Sequence, residues 1–361
     1  MNIDTKTQGK LIQSTEDLSR LLPVLQDAEW LAVDTEADSL YSYPEKLCLI
    51  QISHPGGHEL LDPLSSIDLT ELWKVLSNRE LILHAADYDL RLLFRHFEFR
   101  PESIFDTMIS ARLLGYQQFS LHQLVLDFHG VNLDKSLQKK DWSLRPLSEP
   151  MLDYARRDTE FLRPISERLK SELREKGREE WLVESCRRLI ETCSVTNGKD
   201  PDIAWRLKGC DALSPVGKAV LRELWLCRET EAIKRNKPPF YILRHDTLIR
   251  IAEQASSGLP PAEYLQFRFS PGRKQKFLDA VVKGLAVPLN DCPKKIRTKS
   301  RRQSDKQKSR TLELKSIRDR NAEELKIDPT LIASRAMLVS LAVDWEGSQK
   351  KLMNWQREFL V

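Results

Sequence analysis

The sequence predicts an α/β domain, a mixed sheet with helices packed on it, followed by one or more all-α modules. Strand-like apolar runs are confined to the segment between Trp30 and His84, whereas beyond Thr107 apolar positions recur at helical spacing. Strands first, helices after and a mixture between is the order expected of a sheet covered by helices. Charge divides the chain in the same way. Residues 1–200 hold 25 Lys and Arg against 34 Asp and Glu, residues 201–310 hold 24 against 11, and residues 311–361 hold 8 against 8. The net charge of +4 thus conceals an acidic part suited to collecting cations and a basic part suited to holding a polyanion.

Trp30-Leu31-Ala32-Val33 is the first strand-like run and leads into Asp34; a loop with Tyr41, Tyr43 and Pro44 follows. Leu47 to Ser53 and Glu59 to Leu61, separated by Pro55-Gly56-Gly57, complete a meander of three strands. A helix-like stretch from Leu69 to Ser77 precedes a short buried strand, Leu81-Ile82-Leu83-His84, and an amphipathic segment from Asp87 to Phe97. Helical spacing then marks 107–115, 120–129 (ended by Gly130) and 148–177 (started by Ser148, ended by Gly177). Pro164 predicts a kink or break in the last of these. Ser214-Pro215 starts a helix that runs past Leu221, Leu224, Trp225 and Ile233 to a stop at Pro238-Pro239. Shorter helices are expected over 246–255 and 274–286. Residues 291–310 are basic and nearly devoid of apolar side chains, which predicts a mobile linker, and helical periodicity returns over 311–361.

At 361 residues the chain accommodates a catalytic core with accessory modules. No apolar run approaches the ~20 residues needed to span a bilayer, and no leader pattern opens the sequence, so a cytoplasmic protein without membrane association is expected. Six scattered cysteines form no C-x-x-C pair, which argues against a zinc site or a disulfide framework and for free thiols in a reducing compartment. The absence of a G-x-x-x-x-G-K-[ST] loop argues against a nucleotide triphosphate cofactor.

The chemistry rests on four acids and a tyrosine. Asp34 and Glu36 are two apart on a strand and face the same way, where two carboxylates repel unless a cation sits between them. Tyr154 and Asp158, four apart on a helix, share a face, so the phenol lies near any cation that Asp158 helps to bind. Asp89 follows the strand ending in His84 and falls in the first turn of a helix. Each pair alone is more often ordinary surface. Together, three or four carboxylates from separate elements are the means of holding two divalent ions against a phosphodiester.

Val33-Asp34-Thr35-Glu36, His84-Ala85-Ala86-Asp87-Tyr88-Asp89-Leu90 and Leu152-Asp153-Tyr154-Ala155-Arg156-Arg157-Asp158 resemble the three exonuclease motifs of the DEDD superfamily, in its tyrosine-containing branch. Leu133-Asp134-Lys135-Ser136 and Asp141-Trp142-Ser143-Leu144-Arg145-Pro146-Leu147, with Phe105-Asp106-Thr107, bring the likeness closest to bacterial ribonuclease D. The resemblance implies a ribonuclease H-like exonuclease domain over 1–195. It also implies that Asp34, Glu36 and Asp158 bind the ion that activates water, that Asp34 is shared with a second ion supported by Asp89, and that Tyr154 orients the nucleophile. The ions would be Mg2+ or Mn2+. Asp87, two residues from Asp89, is the alternative ligand. Lys135, Gln138, Trp142 and Arg145 stay outside the catalytic set; Trp142 reads as core and Asp106 as a helix cap.

Residues 200–290 resemble an HRDC domain in Leu213-Ser214-Pro215, Leu224-Trp225 and the stretch from Arg228 to Pro239, and 311–361 resembles a second, diverged copy. Lys234, Arg235 and Lys237 are the expected phosphate contacts. The resemblance thus implies a 3'-to-5' exoribonuclease that trims structured RNA, such as tRNA precursors with a 3' extension, to release nucleoside 5'-monophosphates. A DNA exonuclease of the same fold is the alternative, and a catalytically silent RNA-binding adaptor is disfavoured because all four acids and the tyrosine are present.

Overall fold

The computed structural model describes residues 11–195, 201–260, 269–296 and 303–360. Its sheet has five strands in the order β3-β2-β1-β4-β5, with β1 at Leu31–Ala37, β2 at Leu47–His54, β3 at Gly57–Leu61, β4 at Glu80–Leu83 and β5 at Ser103–Asp106. The first three form the expected antiparallel meander, while β4 and β5 run parallel to β1. All eight residues of β2 are buried, the pattern of a strand covered on both faces.

The main core joins the sheet to the surrounding helices. A smaller cluster, in which Cys48, Leu49 and Leu60 meet Trp142, Leu147, Met151 and Ala155, fixes helix α6 (Glu149–Glu160) over β2 and β3. Trp142 is fully buried there, as expected of a core residue. The segment leading to α6 is held by Arg145, whose guanidinium donates to both oxygens of Asp62 (2.7 and 2.6 Å) and to the carbonyls of Cys48 and Trp142.

Most helices lie where their spacing predicts: α2 at Thr70–Ser77, α3 at Asp87–Phe97, α4 at Thr107–Leu114 and α5 at Leu121–His129. The helix expected over 148–177 is two, α6 (Glu149–Glu160) and α7 (Leu162–Glu175), joined at Phe161. Pro164 has no N–H to bond the Glu160 carbonyl and its ring crowds that oxygen, so the break falls there. The elements outside the sequence expectation include three in this part of the chain. Helix α1 (Thr15–Asp27) carries Pro23 in its interior, and β5 has four residues only. Helix α8 (Glu179–Cys193) buries Trp181, Leu182, Cys186, Ile190 and Cys193, a legible helical spacing.

The chain divides into two compact units, along lines that differ from a simple succession of domains. One takes in the chain up to Ala37, the span Leu47–Val195 and the C-terminal helices; the other takes in Asp38–Lys46 and the helices after Val195 up to Leu285. The second unit is all-α, with α9 (Pro201–Ala204), α10 (Pro215–Arg235), α11 (Pro239–Ile242), α12 (His245–Ser256) and α13 (Pro271–Leu285) around a core of Trp205, Leu221, Leu224, Ile251 and Phe277. Within it, Tyr43 donates to the Glu229 carboxylate (2.5 Å) and to Asn236 Oδ1 (3.2 Å).

The linker expected over 291–310 needs correction. Residues 297–302 lie outside the described residues, but 305–310 belong to α14 (Asp305–Leu325), opened by a capping box between Ser304 and Gln307. Its first turns are solvent-facing and laced with pairs such as Lys308–Asp305 and Arg310–Glu313, so an exposed helical face has the composition of a linker.

After α14 come α15 (Pro329–Ile332) and α16 (Arg335–Val343), and the three together repeat α10, α11 and α12 at an offset of 90 residues. Arg228 and Arg318 are both buried, pair with the next residue's carboxylate (Glu229, Asp319) and donate to a carbonyl fifteen residues on (Leu243, Ala333). Asn236 and Lys326 both end their helix in the left-handed conformation. Leu314, Trp355 and Leu360 join the main core of the first unit, and Trp355 stacks on Trp181 with centroids 4.8 Å apart.

Candidate active site

Strand β1 pairs in parallel with β4 only at Leu31–Leu81 and Ala32–Ile82; beyond these, β4 turns away into α3. A cleft opens at the carboxyl ends of the two strands, the usual place for a site in a parallel arrangement. Asp34 and Glu36 occupy the part of β1 that runs on past this point, paired on the other side with Gln51 and Leu49 of β2.

The turn from β4 into α3 places Ala85 at φ 58, a conformation that residues with a Cβ rarely adopt. Asp106 holds it. Its fully buried carboxylate accepts the N–H groups of Ala85 and Ala86 (3.3 and 2.8 Å) and caps α4 through Met108 and Ile109 (2.8 and 3.0 Å). Burial pushes its carboxyl up and these four N–H groups pull it back. Asp106 is therefore a cap, as the sequence suggests. Beside it, His84 shares a hydrogen bond of 2.9 Å with Thr107 Oγ1, and burial lowers its imidazole to about 4, so the ring is neutral at pH 7.

Helix α6 brings the third carboxylate. One oxygen each from Asp34, Glu36 and Asp158 lie within 4.8 Å of one another. Tyr154, one turn earlier, is hydrogen-bonded to the Asp158 carboxylate, and its ring lies 5.9 Å from that of Trp142. Asp89 is buried and accepts a short hydrogen bond from the Thr35 hydroxyl, which ties α3 to β1 between Asp34 and Glu36. Asp87 points elsewhere, in a bidentate pair with Arg91 on the surface of α3. The five residues singled out in the sequence thus come together, and Asp87 does not join them.

The electrostatics describe a site short of positive charge. Burial raises the Asp34 carboxyl well above the usual range, with Asp89, Asp158 and Glu36 adding their repulsion. Burial pushes Glu36 up to about 9, again with help from Asp158 and Asp89. Burial likewise raises Asp158 to about 7 against the opposing Tyr154 hydrogen bond, and Asp89 to about 6 against the bond from Thr35. The Tyr154 phenol is pushed up by burial and by Asp158, so it remains a hydrogen-bond donor. An all-oxygen donor set of this density fits a hard divalent cation and suits zinc poorly.

A cavity of about 280 Å³ adjoins the cluster, lined by Asp34, Tyr154 and Asp158 and also by Ser120, His122, Lys135 and Gln138. Sequence reasoning leaves the last two unassigned and does not single out Ser120, His122 or Thr35. The signal for Lys135 and Gln138 lies in their position just before the third motif. Lys234 and Arg235 end α10, where Arg235 pairs with Glu231, and Lys237 reaches the Tyr41 carbonyl. These three lie in the other unit.

At the level of class, the fold and this acidic centre define a 3'-5' exonuclease whose architecture implies divalent-metal dependence. The 3'-5' exonuclease family matches residues 10–174 and the HRDC domain matches residues 217–258. Ribonuclease D of Bartonella henselae is 32% identical over 294 residues, covering 79% of this chain and 71% of its own, and ribonuclease D of Gluconacetobacter diazotrophicus is 29% identical over 96% of this chain and 89% of its own. The fold is also that of the crystal structure of Escherichia coli RNase D, at TM-score 0.76 and 24% identity, covering 98% and 96% of the two chains. The chain belongs to the ribonuclease D family and is a 3'-5' exoribonuclease. Among the described residues no helix is long and apolar enough to cross a membrane.

Proposed function

We propose that this enzyme trims 3' extensions from structured RNA, tRNA precursors among them, and releases nucleoside 5'-monophosphates. The observation that carries the mechanism is the convergence of Asp34, Glu36 and Asp158 within 4.8 Å at a place where burial raises the affinity of each for protons. Such a cluster is favourable in its ionised form only around a cation. Asp34, Glu36 and Asp158 would hold one Mg2+ or Mn2+, and Asp34 with Asp89 a second. When bound, the pair supplies an activated water and neutralises the leaving oxygen.

The remaining work falls to the chain. Thr35 fixes the Asp89 carboxylate, so the second position is set by β1 and α3 together. Tyr154, held as a donor beside Asp158, orients the attacking water towards the phosphorus. Lys135, which lines the same cavity, brings a positive charge to the scissile phosphate. The helical repeat from α14 to α16 is read as a second HRDC-type module, and both modules as holders of RNA, with Lys234, Arg235 and Lys237 all exposed.

The test is digestion of a 5'-labelled RNA with a single-stranded 3' tail, in Mg2+, in EDTA and with Tyr154→Phe. A ladder that shortens from the 3' end only with metal, and more slowly in the variant, supports the proposal. Cleavage that persists in EDTA would overturn it.

A further inference from the structure

A second cavity, of about 730 Å³, lies wholly within the HRDC unit and has no part in the chemistry above. Its walls are the aromatic rings of Tyr43, Trp225 and Phe240, and Arg244, His245 and Asp246 stand at its polar side. The floor is rigid: Arg228 is buried, its guanidinium donates to Glu229 (2.7 and 3.1 Å), and Glu229 also accepts the Tyr43 hydroxyl. Phe240 is 47% exposed and lies against Tyr241, itself 62% exposed, with centroids 4.6 Å apart. The volume falls within the range of ligand pockets, about 300–1,000 Å³.

The internal repeat shows that the module's helices form with other side chains at these positions. At the offset of 90, residues that build the module recur: Leu224 and Leu314, Ala232 and Ala322, Ile242 and Ile332, Leu248 and Leu338 are all buried. The cavity wall does not recur. Trp225 has Lys315 as its counterpart, Phe240 has Thr330, and Arg244 has Ser334. Two aromatic rings that one copy of the module lacks, set around an open cavity, call for a flat, polar-edged ligand, and Arg244, 80% exposed at the edge and only loosely paired with Asp246 (3.9 Å), can turn its charge to an adjoining anion.

We propose that this cavity is a stacking site for a nucleobase of the RNA substrate, held between Trp225 and Phe240, with Arg244 beside the adjoining phosphate. The proposal rests on the reading of the HRDC unit as an RNA holder. Stacking tolerates any base, as an enzyme that shortens its substrate one residue at a time requires.

The full-length chain is titrated against a short 5'-fluorescein oligo(A) in EDTA, by anisotropy, over a series of KCl concentrations. Phe240→Ala, which leaves the melting temperature unchanged because the side chain is half exposed, weakens binding about tenfold, the scale of losing one stacked base, and leaves the salt slope unchanged. Phe240→Trp restores binding. In Mg2+ the alanine variant raises KM for the same RNA and leaves kcat alone. Binding by Phe240→Ala within twofold of the parent would sink the stacking site, and if Lys234→Glu then still weakens binding, the HRDC unit remains an RNA holder by charge alone. Failure of the parent chain to bind oligo(A) at all overturns both readings.

Discussion

Asp34 and Glu36 share one face of a strand, and Asp158 meets them from a helix; the energetic sign of that meeting depends on pH. A carboxyl whose folded-state pKa is raised stabilises the fold fully below its unfolded value, about 4.5 for Glu36, and that contribution is lost as pH rises through about 9. The metal-free protein is therefore expected to melt at lower temperature at pH 8.5 than at pH 6, and Mn2+ to restore more stability at the higher pH. Differential scanning in EDTA and in excess metal checks this; a metal effect independent of pH would contradict the site. Glu36→Gln should raise the metal-free melting temperature at pH 8.5 while lowering exonuclease activity about 10²-fold or more, the scale of losing one group that organises transition-state charge. Asp89→Asn should likewise be crippling, whereas Asp87→Asn should retain activity within a few-fold, because Asp87 is turned to Arg91 and the Cys193 thiol and away from the acidic cluster. Equal losses in the two variants would speak against the Thr35–Asp89 arrangement. These residues are legible in the sequence because spacings of two on a strand and four on a helix are local. The Thr35 bond to Asp89 crosses 54 residues, and Ser120 and His122 reach the cavity only through packing, so neither has a local signature.

Among the elements, the β4-to-α3 turn and the end of α4 are the most exacting. Asp106 satisfies four backbone N–H groups, two of them in the turn that carries His84. Asp106→Ala should cost about 1–3 kcal/mol, since the orphaned donors stay buried, and should reduce activity through the displaced turn. Chemical denaturation with a parallel rate measurement checks both. Gly115 ends α4 at φ +92, and a Cβ there would stand 2.1 Å from the Lys326 carbonyl oxygen. Gly115→Ala is accordingly strained by about 1–3 kcal/mol from backbone conformation alone, before α14 has to shift. Element types were legible where periodicity is long, as in α3 and α10. Strand β5 was not, because four residues carry too little pattern, and α14 was partly hidden because its first turns bury nothing.

At the scale of the molecule, the C-terminal helices are part of the catalytic unit's core rather than an appendage. Arg178 donates to the Leu113 and Leu325 carbonyls, and Trp355 stacks on Trp181. A chain ended at residue 300 should therefore melt roughly 10 °C lower or fail to fold, given about 2–4 °C per kcal/mol for a domain of this size. An unchanged melting curve would show the two to be independent. The excursion of Asp38–Lys46 into the HRDC unit carries a different lesson. That loop begins two residues after Glu36, and Tyr43 within it is bonded to Glu229 and Asn236. Recombination between relatives that exchanges only the helices after Val195 would leave a foreign loop facing a new host. A viable chimera needs a further pair of crossovers flanking Asp38–Lys46, so the two units, separable as compact bodies, are inherited as one.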